Sequence, residues 1–401
     1  MRRKHSDELP RYIRPGEKPS FPWPRRSRLF AVLGLLFIYW VIHSSRKSST
    51  TDNRDDHPNV NWSYYAYSLY ATDSATLCHA VLIFDALAKL GSKADRVLFY
   101  PEYWDTVIEN SRDRDSQLLV IARDKYKVKL EPVQLLSVEG LRTPDQPKRT
   151  WDKSVTKFLS FGLTYYNRVL ALDSDITLLQ SLDELFLLPP TPMAMPRAYW
   201  YDSKPWPLTS LLMLLEPSDH ELHKFKEAIN GGADAATVMA NKYDMELVND
   251  RFRDSAMVLP HRPYALLTGE FRSHNHSAYL GNNDEQWDAD KIRKEAKLIH
   301  FSDWPLPKPW IMWPHEGLVE MQPDCGGSHE GTCRERVIWK ELYDDFRQRR
   351  KDICKYLSVP APDWAKIKGG EHHGNETELE APHVDGEPNQ TGGEQVVVHD
   401  T

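Results

Sequence analysis

"RVLALDSDITLLQSLDELF", residues 168–186, decides how the chain is read. Val169–Leu172 form an unbroken apolar run of the kind that fills a strand buried on both faces. The run ends in two aspartates, Asp173 and Asp175, separated only by Ser174. Two ionised carboxylates this close repel each other, and drawing them out of water is costly unless positive charge compensates. A metal cation is the natural compensator. The plain alternative is a strand that meets solvent, with Asp as a turn former.

Around this stretch, strand and helix patterns alternate. "YYAYSLYAT" (64–72) reads as a strand running into a helix from about Ser74, where Leu77, Val81, Phe84 and Ala88 recur at helical spacing and Gly91 supplies the stop. "DRVLFY" (95–100) is a second strand. A long helix is expected over about 151–166, with Val155, Phe158, Leu159, Leu163 and Tyr166 on one face, and "SLDELF" opens another helical turn. Such units favour an α/β class, a mostly parallel mixed sheet flanked by helices. Ligands of these sheets bind outside the carboxyl ends of the strands, where Asp173 and Asp175 fall. That placement favours a metal over a solvated turn.

The 401 residues are 40% hydrophobic and 11% aromatic, enough for a large core. A formal net charge of -7, with no compensating basic-aromatic groove, excludes nucleic acid as the main partner. Residues 29–45 are uncharged and begin with "LFAVLGLLFIYWVI". With its flanks this charge-free stretch reaches roughly 28 Å as a helix, near the lower limit for a thin bilayer. Positive charge is denser before it than after it, which puts residues 1–28 in the cytosol and makes the run a single transmembrane signal-anchor of type II. A polar stem (46–61), a catalytic domain (62–365) and a disordered tail (366–401) are expected to follow. Sequons at Asn61, Asn275, Asn375 and Asn389 fit a luminal domain. Cys325 and Cys333 are close enough to bridge a short loop, whereas Cys78 sits in a helical pattern and reads as a buried thiol.

Three further stretches carry chemistry. "KLIHFSDWPLPKPW" (297–310) is a short strand ending in His300, then a Pro/Trp-rich loop with Lys308. "YDMELVND" (243–250) starts an apolar helix at Asp244, a position that Asp also favours for capping alone. Lys157 lies one helix upstream of the aspartate pair. The order Lys157, Asp-x-Asp, Asp244 with Asn249, then "HF…KPW" resembles the glycogenin-like family 8 glycosyltransferases over roughly residues 64–315. With the type II anchor, the "HFSDWPLPKPW" loop looks most like the fungal Golgi N-acetylglucosaminyltransferases.

The resemblance implies a nucleotide-sugar-binding (GT-A-like) fold and a retaining, Mn²⁺-dependent transfer from a UDP-sugar. The favoured donor sugar is N-acetylglucosamine and the favoured acceptor a mannose-containing glycan. By the same resemblance Asp173, Asp175 and His300 ligate Mn²⁺, a set suited to that ion, and Lys308 meets the leaving phosphates. Lys157 stands near the phosphate or the transferred sugar, and Asp244 orients a sugar or acceptor hydroxyl. Tyr70, Ala71, Thr72 and Asp73 hold uracil and ribose, with Ser174 beside the donor. The chain departs from the family at Met245, where Gln is frequent, and at Thr209, Ser210 and Leu211, where an Asn-Ser-Gly stretch lines glycogenin's sugar pocket. Two rivals stand beside this reading. "DSDIT" (173–177) also fits the motif of haloacid-dehalogenase-type phosphatases, and an inactive sugar-binding protein could keep the same fold.

Overall fold

Successive side chains of a strand point to opposite faces of its sheet, and here both faces are buried. The computed structural model describes residues 60–138, 150–202, 204–230, 242–282, 284–301, 308–312, 314–326 and 332–356. Its strands are β1 (Tyr65–Tyr70), β2 (Asp95–Pro101), β3 (Val128–Val133), β4 (Arg168–Leu172), β5 (Ile176–Leu178), β6 (Met193–Pro196), β7 (Leu212–Leu215), β8 (Met257–Leu259), β9 (Leu266–Leu267) and β10 (Leu298–His300). The helices used below are α1 (Ser74–Lys89), α2 (Arg114–Tyr126), α3 (Asp219–Asn230), α4 (Asp244–Phe252) and α5 (Arg334–Arg349).

Seven strands form one sheet in the order β3-β2-β1-β4-β7-β6-β8, and within it β7 alone runs against the others. The chain steps outward from β1 to β2 and β3, then returns with β4 on the other side of β1. That reversal opens a crevice at the carboxyl ends of β1 and β4. A small second sheet, β5-β10-β9, continues from β4 just beyond the aspartates.

The alternation sorts the core into two layers. Leu69, Leu98, Leu170, Leu172 and Leu214 face one cluster, with side chains from α1, α2 and α5. Ala66, Val97, Val169, Ala171 and Met213 face the other, against Val155, Phe158 and Phe161 and the apolar sides of α3 and α4. A strand enclosed this way can be apolar at every position, which is why "VLAL" reads as a continuous run.

The segment expected as a helix over 151–166 is a 3₁₀ helix, Thr150–Gly162. Its winding has a consequence. At three residues per turn, positions i and i+3 eclipse, so Val155, Phe158 and Phe161 stack in one fully buried row. Ser154, Lys157 and Ser160 form a second, polar row at the same spacing. An α-helix would rotate such rows apart by about 60° per step. "SLDELF" likewise yields a short 3₁₀ turn, Asp183–Leu187, rather than an α-helix.

Cys78 is not a free thiol. It is bonded to Cys354, 276 residues away, which ties α1 to the end of the C-terminal helical arm; Cys325 and Cys333 form the expected short bridge. Nothing local in the sequence signals the long-range pairing, because it depends on α5 packing against α1. The apolar run 29–45, the stem short of Val60 and the tail 366–401 lie outside the described residues. No helix among the described residues is long and apolar enough to cross a membrane.

Replacing Cys78 and Cys354 together by Ser is expected to destabilise the fold by about 2–5 kcal/mol, since the bridge closes so long a loop. The thermal midpoint, followed by circular dichroism, should drop by several degrees. An unchanged midpoint would show that packing alone holds the arm.

Candidate active site

β4 delivers Asp173 to the crevice, and the Asp173 amide donates to the Leu211 carbonyl at 3.0 Å, so the start of β7 fixes the same edge. Three residues later the chain enters β5. There the Phe301 amide donates to the Asp175 carbonyl at 3.0 Å, and Ile176 pairs with His300 across β5 and β10. The aspartates therefore stand at a junction, Asp173 on the large sheet and Asp175 on the link to the small one.

Their side chains turn to different cations. Lys157, 2% exposed, donates through Nζ to Asp173 Oδ1, to Asp244 Oδ2 at 2.6 Å and to the Ser210 carbonyl at 3.3 Å. Asp244 also accepts from Ser154 Oγ at 2.6 Å and from Ser210 Oγ at 2.5 Å. The Tyr70 hydroxyl reaches Asp173 Oδ1 at 3.5 Å. On the other side, Asp175 Oδ2 faces His300 Nε2 at 3.1 Å and Lys308 Nζ at 2.9 Å, and Lys308 also donates to the Phe301 carbonyl at 2.7 Å.

Titration follows from these contacts. Burial alone would depress the Lys157 ammonium, but Asp173 and Asp244 outweigh it and hold the group well above its ordinary value. Burial raises the Asp173 carboxyl despite Lys157. It would raise Asp175 as well, yet His300 and Lys308 hold that carboxyl well below the usual range. Burial also opposes ionisation of Asp244, which Lys157 and the Ser154 and Ser210 hydroxyls overcome.

Lys157, Asp173, Asp175, Asp244, His300 and Lys308, far apart in sequence, thus meet at one edge. Asp244 does start its helix, but both of its oxygens are engaged by Lys157 and the two serines, so its grip on the site runs through Lys157. The segment 70–73 divides. Tyr70 faces the aspartates, Ala71 is fully buried and Thr72 donates its amide to Thr76 Oγ1 at 2.9 Å. Asp73 caps α1, accepting from the Thr76 amide at 2.7 Å. Ser174 lies half-buried between the two aspartates. Asn249 clamps Leu208 through both amide atoms, each at 2.8 Å, and so positions the segment that leads to Ser210.

For a cation, Asp175 Oδ2 and His300 Nε2 present donors 3.1 Å apart. Two adjacent ligands at about 2.1 Å from an octahedral ion lie about 3 Å from each other. Asp173, turned to Lys157, does not join them here, and no group of three His, Cys, Asp or Glu side chains arranged for a metal occurs among the described residues. The charge balance suits an added cation: three carboxylates (Asp173, Asp175, Asp244) face two lysines (Lys157, Lys308), leaving one negative charge apart from His300. Sequence reading missed Ser154 and took Ser210 only as part of a departure from the family's sugar-pocket stretch. The spacing Ser154-x-x-Lys157-x-x-Ser160 is the signal that could have found the first, once a three-residue period is considered.

Acidic and basic groups thus converge at the switch point of an α/β sheet, the place where such sheets bind their ligands. The chain is 49% identical over 342 residues to glucose N-acetyltransferase 1 of Aspergillus fumigatus, covering 83% of this chain and 88% of that one. It is 45% identical over 309 residues to the Gibberella zeae protein of the same name (76% and 66%), and 24% over 409 residues to that of Saccharomyces cerevisiae (74% and 82%). The chain belongs to this glucose N-acetyltransferase 1 family and is a transferase, as its resemblance to the fungal enzymes implied. No protein-family model matches it. Among solved structures it is similar to the glycosyltransferase GlyE of Streptococcus pneumoniae, at 14% identity and TM-score 0.44 over 80% of this chain and 65% of that one. The galactosyltransferase LgtC with donor and acceptor sugar analogs matches at 13% and 0.40, over 69% and 99%. Against the phosphatase rival, the aspartates follow the fourth strand in chain order, whereas that family's nucleophile strand opens its domain.

Lys157→Met removes the shared counter-charge and leaves two carboxylates uncompensated, which is expected to cost about 3–5 kcal/mol of stability. Adding Asp244→Asn should recover part of that loss in a double-mutant cycle read by thermal unfolding. Additive losses would show that the two groups do not act as a pair.

Proposed function

We propose that this transferase is a retaining, Mn²⁺-dependent glycosyltransferase. It moves N-acetylglucosamine from its UDP-sugar to a mannose-containing glycan in the Golgi lumen, held to the membrane by residues 29–45. The observation that carries the reading is the convergence of Asp175, His300 and Lys308 beside Asp173 at the crevice. A UDP-sugar brings a pyrophosphate whose charge grows as the sugar leaves, so the site must offer positive charge there. The name of the fungal relatives, glucose N-acetyltransferase, supports a donor sugar bearing an N-acetyl group.

Asp175 and His300, with Asp173, are the residues that would hold Mn²⁺, and the ion would supply charge neutralisation to the leaving diphosphate. Lys308 places a compact ammonium at the same end of the crevice, where it meets the phosphates. Tyr70 and the segment 70–73 border the nucleoside end. Lys157 holds Asp173 in register and lines the sugar side with Ser210. No enzyme nucleophile is assigned. The two disulfides support an oxidising compartment, and the sequons at Asn61 and Asn275 are exposed to modification there.

The full chain with Mn²⁺ should transfer from UDP-N-acetylglucosamine in preference to UDP-glucose and UDP-galactose. Asp175→Asn, which keeps shape and removes charge, should slow transfer on the order of a thousandfold, corresponding to several kcal/mol of lost transition-state stabilisation. UDP affinity in that variant should no longer respond to Mn²⁺. Wild-type rates in EDTA-stripped Asp175→Asn protein given Mn²⁺ would rule the site out. In intact vesicles, added protease should spare the luminal domain and glycosidase should shift its mobility. A secreted form starting after residue 45 would overturn the anchor.

A further inference from the structure

Lys308 begins a turn that the C-terminal arm grips. The Ile311 amide donates to the Lys308 carbonyl at 2.9 Å and closes the turn. Arg347, on α5, donates through Nε to the Pro309 carbonyl at 2.9 Å, and an Arg350 guanidinium nitrogen lies 3.5 Å from the Trp310 carbonyl. The Trp310 ring stands 4.2 Å from His79 of α1 and 5.9 Å from Phe346 of α5. His79, 1% exposed, neighbours Cys78, whose bridge to Cys354 joins α1 to the arm. Burial pushes the His79 imidazole well down, and its Nε2 has no hydrogen-bond partner among the described residues. Tilted at 40° against Trp310, this ring serves as a packing surface between α1 and the turn.

We infer that Arg347 is a positioning residue of the donor site, holding the Pro309 carbonyl so that Lys308 keeps its ammonium at Asp175. The inference rests on the reading that Lys308 meets the donor's diphosphate. The physical reason is the lysine side chain itself. Its four-carbon stem is flexible, and the charge is localised only when the backbone beneath it is fixed. A guanidinium N–H to a carbonyl is a charge-assisted bond of the stronger sort. The arm that supplies it, sewn to α1 by the disulfide, lies far from the motif in sequence and forms one wall behind it. If Arg347 merely stabilised α5, its loss would weaken folding without acting through Lys308.

A double-mutant cycle on the full chain separates these, with UDP plus Mn²⁺ as the probe in titration calorimetry. Arg347→Ala should weaken UDP about tenfold, and Arg347→Lys, which restores a cationic donor, should stay within about threefold of wild type. In a Lys308→Ala background, Arg347→Ala should add no further loss. Hydrogen exchange at 308–312 should quicken in Arg347→Ala while β4 keeps its wild-type protection. Additive losses in the double variant, or unchanged exchange at 308–312, would overturn the inference. If Lys308→Ala leaves UDP affinity intact while Arg347→Ala still loosens 308–312, the clamp stands and the diphosphate role of Lys308 falls. Arg347→Gln gives the same comparison should the alanine variant not fold.

Discussion

The buried ammonium of Lys157 is the constraint on which the site depends. It joins Asp173, just past β4, to Asp244 on α4, two carboxylates whose ionisation burial opposes. Removing such a charge from water is compensated only where partners and hydrogen bonds saturate it. Here the Ser210 carbonyl and the two serine hydroxyls on Asp244 complete the set. The consequence reaches outward. Because Lys157 rides on the 3₁₀ segment, the helical layer and the carboxyl edge of the sheet are locked in one register.

The second aspartate is held differently, and the difference has functional meaning. Asp175 meets two basic side chains carried on short elements: His300 on a three-residue strand, and Lys308 on a turn. One half of the site is thus a buried network around Lys157, the other a part-exposed cluster around Asp175. Such an asymmetry suits a ligand that must bind and leave at one end while the other end stays ordered.

The C-terminal arm belongs to the same design. α5 packs its Ile338, Trp339, Leu342 and Phe346 into the layer under α1, and the Cys78–Cys354 bridge secures its end. Residues beyond 330 that carry no recognisable motif therefore back the Lys308 turn. A site motif can owe its geometry to a segment that no motif search would include.

Through a resemblance in the order of its motifs the chain offered the candidates Lys157, Asp244, His300 and Lys308; from its residues alone it declared its α/β class, the buried strand 168–172 with its acidic end and the helix from about Ser74. These are local facts: period-two and helical spacing, turn residues, and charge where a strand ends. Three things were decided only by tertiary structure. The 3₁₀ winding of 150–162 follows from two three-residue rows, one packing on the sheet and one feeding the site, which a search for helical spacing passes over. The partner of Cys78 depends on α5 docking 276 residues away. Which cation each aspartate faces depends on β4 continuing into β5 and changing sheets. Sequence specifies which groups must find compensation for burial; only the packed fold specifies which partner provides it, because that choice is one of distance.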